Sequence, residues 1–128
     1  MPVKFKPTPK KNPLQPGSTP KFYPTIVTDG EFTLKQLAKR VSDTSSFSEG
    51  DLLGLLRTIL KIIPEELASG KIVRLGDLGS FRITVKGEGS EEEKKVTSSN
   101  IKSTGVIFSP GKDLKDAISN IKFEKLSK

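Results

Sequence analysis

Arg74, Ser80, Arg82 and Lys86 fall within one stretch, GKIVRLGDLGSFRITVKG, residues 70–87. Phe81, Ile83 and Val85 alternate there with Arg82, Thr84 and Lys86, the period of a strand that buries one face and leaves the other in water. Cations fixed on one face of a strand hold a row of anions, phosphates above all, and so give affinity for a polyanion without reading base edges. Ser80 adds a hydroxyl within reach of the same row. Arg74 shares a face with Ile72, opposite Val73 and Leu75, and alternation alone leaves open which of those faces joins Arg82.

Other chemistry has little material to work with. The 128-residue chain contains no Cys and no His, which removes thiolate and imidazole metal ligands, disulfides and the usual general base. SPGKD lacks the preceding Gly and following Ser or Thr of a phosphate-binding loop, and GEGSEE lacks the third glycine of a dinucleotide motif. The triple Glu91–Glu92–Glu93 reads as a solvated charge run rather than a cation site. These features predict no enzyme activity, no metal or other cofactor and no small-molecule substrate. No apolar run is long enough for a membrane span, and the N-terminal lysines precede no apolar block, so a soluble cytoplasmic protein is expected.

The net charge of +7 is unevenly distributed. Residues 1–28 carry five Lys and no acid, residues 71–86 four bases against one acid, and residues 102–128 six bases against three acids. Residues 29–70 and 87–101 each carry an excess of two acids. Basic segments separated in this way suit a polyanionic partner. Charge alone does not separate DNA from RNA, although no base-stacking aromatic pair stands on a strand.

The elements that must position these groups follow from pattern. Seven of the nine prolines lie within the first 24 residues, which forbids a helix there. VKFK and KFYPTIVTDG instead predict two short strands around the turn-rich NPLQPGSTP, an edge hairpin. Leu34, Leu37, Ala38 and Val41 recur at helical spacing after a Thr33/Gln36 capping box. A second helix begins at a Ser48 cap and ends at Gly70, with a kink or split expected at Pro64. That helix is apolar on more than one face, and Leu56, Ile59, Leu60 and Ile63 are assigned to an interface with a second copy of the chain. KIVRL and SFRITVKG predict a hairpin across GDLG, GVIF a third strand, and SPGKDLKDAISNIKF a last helix capped by Ser109 with Pro110 at its first position. The polar residues 87–96 are expected to be the most mobile internal segment.

Three pieces, TLKQLAKRVSDTSSFSEGDLLGLLRTIL, GKIVRLGDLGSFRI and VIFSPGKDLKDAI, together resemble the bacterial HU and integration host factor family of histone-like, nucleoid DNA-binding proteins. The resemblance implies an α+β fold. In it, a helix pair, a three-stranded β-saddle with a short arm and a C-terminal helix intertwine with a partner chain, with Phe81 and Phe108 in the shared core. It divides the chain into a basic extension at 1–30, an HU-like domain at 31–123 and a tail at 124–128. It also implies low-specificity binding of double-stranded DNA by a homodimer located at the nucleoid, with Arg74, Ser80, Arg82, Lys86, Lys102, Lys112 and Lys115 as candidate contacts. Lys4, Lys6, Lys10, Lys11, Lys21, Lys94 and Lys95 are possible additional ones.

Two departures stand out. The family's arm ends in Arg-Asn-Pro, whose Pro wedges into the duplex; here KGEGSEEEKKVTSSNIKSTG has no Pro and four Glu, and the Phe81–Phe108 interval is about five residues shorter than usual. Val96 and Ile101 are open to two readings, an apolar wedge or packing beneath the loop. The basic extension is the second departure, and with the short arm it resembles a Bacteroidetes-type branch. An alternative reading keeps the fold as a dimerisation module whose DNA binding has faded.

Overall fold

The computed structural model describes residues 2–126 except Asn12, Pro16 and Ser18. The chain divides into two compact units, one formed by residues 1–32 with 117–128 and the other by Thr33–Asp116.

In the first unit, β1 (Val3–Lys10) pairs antiparallel with β2 (Lys21–Ile26). The hairpin expected around the proline-rich turn therefore forms, but it is not a bare edge pair. A third strand, β6 (Phe123–Lys125), adds in parallel to the other side of β1, giving the order β2-β1-β6. Residues 124 and 125, expected from sequence to begin a tail, thus belong to a sheet; Ser127 and Lys128 lie outside the described residues.

The ladder explains how a strand tolerates so many prolines. Val27 N–H donates to the Lys4 carbonyl (2.9 Å), while Val3 N–H donates to Lys122 (2.8 Å) and Leu126 N–H to Phe5 (2.8 Å). Even-numbered β1 residues therefore bond towards β2 and odd-numbered ones towards β6. Pro7 and Pro9 are odd-numbered and lie beyond the end of the β6 pairing, and Pro24, opposite Pro7, faces the outer edge of β2. Each missing N–H falls where no partner strand needs it, and each blocks addition of a further strand.

The second unit opens with α1 (Leu34–Asp43) and α2 (Glu49–Ala68). The expected capping box is present: Thr33 Oγ1 accepts from Gln36 N–H (3.3 Å), and the Gln36 side-chain oxygen accepts from Thr33 N–H (2.8 Å). Ser48 accepts from Asp51 N–H (3.1 Å) at the start of α2. The helix does not split at Pro64 but continues to Ala68. Gly70, at φ +89°, stops it. Gly70 N–H bonds to Leu67 (2.9 Å) and Lys71 N–H to Glu66 (3.3 Å), the Schellman arrangement that a left-handed residue permits.

β3 (Val73–Arg74), β4 (Gly79–Gly87) and β5 (Ile101–Pro110) form an antiparallel sheet in that order. GDLG makes one tight 3-10 turn between β3 and β4, closed by Leu75 N–H to the Gly79 carbonyl (2.9 Å). Phe81 lies directly opposite Phe108, with ring centroids 4.8 Å apart. The last helix, α3 (Lys112–Ser119), begins later than the Ser109 cap predicts. Ser109 and Pro110 remain in β5, paired with Ser80 and Gly79, and the Gly111 carbonyl accepts the first helical bond, from Lys115 N–H (3.0 Å). Strand pairing outcompetes the local cap.

Among the described residues only Ala38 and Leu67 are buried apolar residues, and no large side chain is fully buried. Leu56 and Ile63 are half-buried, whereas Ile59 and Leu60 are 47% and 53% exposed.

Between β4 and β5, Glu88 N–H donates to the Asn100 carbonyl (2.9 Å) and the Asn100 amide group returns a bond to the Glu88 carbonyl (2.9 Å). Amide exchange followed by mass spectrometry should therefore be fast at residues 89–96 and distinctly slower at Glu88 and through β4. Exchange in 89–96 as slow as in β4 would contradict this reading.

Candidate nucleic-acid interface

The register decides which face Arg74 occupies. Arg74 pairs with Ser80 and Val73 with Phe81, so Arg74 joins Ser80, Arg82, Thr84 and Lys86 on one face of the second sheet. Their β5 partners on that face are Ser109, Ile107, Gly105 and Ser103. Three cations and four hydroxyls thus share a face that carries no carboxylate. Arg74, Arg82 and Lys86 make no ion pair among the described residues and are exposed. Val73, Phe81, Ile83, Val85, Val106 and Phe108 line the opposite, apolar face.

The two glycine-rich motifs meet at one end of this face. Gly111 N–H donates to the Leu78 carbonyl (2.9 Å), and Gly79 pairs with Pro110. A shallow cavity of about 300 Å³ opens there, lined by Arg74, Gly76, Gly79, Ser80, Ser109, Pro110 and Gly111. The glycines are needed for the close approach. A Cβ at Gly79 would lie 2.5 Å from the Ser109 carbonyl oxygen and 2.7 Å from the Phe108 ring, at a φ of +146°. One at Gly111 would collide with the Asp77 backbone.

The remaining candidates are placed differently. Lys102 is the extra residue where the register shifts between Lys86 and Gly87, and its ammonium lies 4.0 Å from Glu88. Lys95 faces Glu92 at 3.8 Å, and Lys94 sits beside it in the exposed turn Glu93–Lys95. Two possible contacts in the acidic loop are thus at the loop's surface, one of them already offset by a neighbour. Lys112 and Lys115 stand exposed at the start of α3, directly after the cavity's Gly111. Lys4, Lys6, Lys10 and Lys21 belong to the separate N-terminal sheet, and Lys11 follows β1. Strand alternation in the sequence already puts Thr84 beside Arg82, but no signal there marks Ser103 and Ser109 as members of this face, because only the cross-strand register aligns them with Arg82.

The sequence model of a family described as "HU domain fused to wHTH, Ig, or Glycine-rich motif" matches residues 1–125, including the N-terminal extension. The DNA-binding protein HU of Thermotoga maritima is 33% identical over 90 residues, covering 67% of this chain and 98% of that protein. The chain belongs to the HU family. A crystal structure of a Bacteroides vulgatus protein, described as a candidate bacterial DNA-binding protein, matches 96% of this HU-family chain with a TM-score of 0.64 at 15% identity. The chain spans about half the length of that protein, 48%. This likeness supports a shared mixed α+β fold. The family is one of architectural rather than catalytic proteins. Among the described residues no helix is long and apolar enough to cross a membrane.

Gly79→Ala or Gly111→Ala should lower stability by about 1–3 kcal/mol through backbone strain and collision at the motif junction, as read from thermal unfolding. Variants that melt with the parent protein would show that the junction relaxes freely.

Proposed function

We propose that this HU-family protein is a homodimeric, histone-like protein of the nucleoid that binds duplex DNA with little sequence preference, in the cytoplasm. The carrying observation is the face on which Arg74, Arg82 and Lys86 stand with Ser80, Thr84, Ser103 and Ser109 and with no carboxylate. Such a face meets phosphate oxygens through ammonium, guanidinium and hydroxyl donors and gives no reason to prefer one base sequence over another. The name of the Thermotoga maritima relative supports DNA as the polyanion. Lys112 and Lys115 extend the contact at the α3 end. The second sheet takes the part of the family's saddle, and the chain connecting β4 and β5 that of a short arm. Without a proline at its tip, that arm does not kink the duplex by the family's usual wedge.

The dimer rests on the uncovered apolar residues. Leu56, Ile59, Leu60 and Ile63 of α2, with the Phe81–Phe108 pair, form the shared core, because one chain leaves Ile59, Leu60 and Phe108 exposed and Leu56, Ile63 and Phe81 only half-buried. The acidic arm loop, with Glu88, Glu91, Glu92 and Glu93 against Lys94 and Lys95, favours the alternative of a dimerisation module that has lost DNA binding.

Fluorescence anisotropy with two unrelated duplexes over a salt series separates these readings. Arg82→Ala and Lys86→Ala should weaken both duplexes equally and lower the slope of log affinity against log salt by about one unit for each phosphate no longer neutralised. Neutralising Glu91, Glu92 and Glu93 should leave affinity unchanged or raise it. An absence of binding by the parent protein at low salt would leave the dimerisation module as the better account.

A further inference from the structure

Most of the net charge lies away from the β3-β4-β5 sheet. Residues 1–32 with 117–128 hold eight Lys and three acids, a net +5, whereas Thr33–Asp116 holds fourteen bases and twelve acids, a net +2. The N-terminal sheet sorts its side chains by face with one exception, Lys125, which as the partner of Phe5 falls on the apolar side. Val3, Phe5, Pro7, Pro9, Phe22, Pro24, Ile26 and Phe123 fall on one side; Lys4, Lys6, Thr8, Lys10, Lys21, Tyr23, Thr25 and Glu124 fall on the other.

Among the described residues of the polar side only Lys4 has an acidic partner, with its ammonium 2.8 Å from the Glu124 carboxylate. Lys6, Lys10 and Lys21 form no ion pair among the described residues. Lys10 and Lys21 are also direct cross-strand partners. Two like charges in that position repel and weaken the sheet, a cost that an anion bridging them would offset. Tyr23 holds the Lys10 ammonium over its ring at 5.8 Å, which fixes the position of that cation on the surface. Prolines disfavour strand addition along β2 and the free stretch of β1, and the remaining edge, β6, is only three residues long, which leaves the faces as the larger contact surfaces.

We infer that the lysine face of the N-terminal sheet is a second duplex-DNA backbone site, formed by Lys6, Lys10 and Lys21 and restrained at one end by the Lys4–Glu124 ion pair. This rests on the proposed DNA-binding function but assigns a separate surface, on a different sheet, with its own residues. The chemistry is again phosphate neutralisation, so the site adds affinity and salt dependence without sequence preference. Glu124 acts as a local brake, holding Lys4 in an ion pair and placing a carboxylate beside the incoming phosphates.

The test is a salt series of duplex binding by the full chain carrying Lys6→Gln, Lys10→Gln and Lys21→Gln together. The triple variant should lose at least tenfold in affinity at low salt, and its slope should fall by about one unit for each phosphate left unneutralised. The corresponding triple Lys→Arg variant should bind like the parent, and Glu124→Gln should bind severalfold more tightly with a steeper slope. A triple Gln variant with unchanged affinity and slope, while Arg82→Ala still weakens binding, would overturn this inference and leave the β4 site intact. Loss of binding in the triple variant with no effect of Arg82→Ala or Lys86→Ala would support it and overturn the β4 site instead. A parent protein that binds no duplex at low salt would overturn both.

Discussion

Uncovered apolar surface is the constraint on which the rest of this structure depends. The chain places Leu55, Ile59, Leu60 and Ile62 along α2 at about half exposure or more, and among its described residues it buries only Ala38 and Leu67 as apolar residues. Burying one such aliphatic side chain contributes about 1.5–3 kcal/mol. A handful of them left in water therefore forfeits an amount comparable to the whole net stability of a domain, roughly 5–15 kcal/mol. In the proposed dimer a second copy covers α2 and supplies the missing core, and the face assignments of the second sheet fit that arrangement. With Phe81, Ile83 and Val85 on the apolar face, strand alternation sends Arg82, Thr84 and Lys86 to the other side.

Both sheets solve the same problem in the same way. Each separates an apolar face from a cationic one, and each keeps its acids off the cationic face or ties the one present into an ion pair, as with Glu124 and Lys4. The acids concentrate instead in the helices and in the connection from β4 to β5, where Glu88 and Glu92 meet Lys102 and Lys95. A net charge of +7 is modest for a chain of 128 residues. Its arrangement on faces matters more than its size to a polyanionic partner, which responds to the local density of unpaired cations rather than to the total.

The parts of the fold legible in the sequence were those with local causes. The Thr33–Gln36 capping box, the Ser48 cap, the Gly70 stop and the Gly76–Gly79 turn are each specified by residues a few positions apart, and each forms as expected. What escaped depends on distant partners. β6 is three residues, Phe-Glu-Lys, with no periodicity to reveal it, and it exists because β1 offers a free edge at Val3–Phe5. Ser109 and Pro110 look like a helix start, yet their pairing with Ser80 and Gly79 holds them in β5. The face of Arg74 was likewise undecidable from its own segment, since only its register against Ser80 fixes it. At Pro64 the split, one of the two outcomes expected there, does not occur, and α2 carries the proline on to Ala68.

The central claim, that two chains share one core, is tested most directly by chemical unfolding at protein concentrations a hundredfold apart, with sedimentation equilibrium run on the same samples. If folding and association are one process, the unfolding midpoint rises with concentration and the folded species sediments as a dimer. A midpoint independent of concentration, with a cooperatively folded monomer in the centrifuge, would contradict the account.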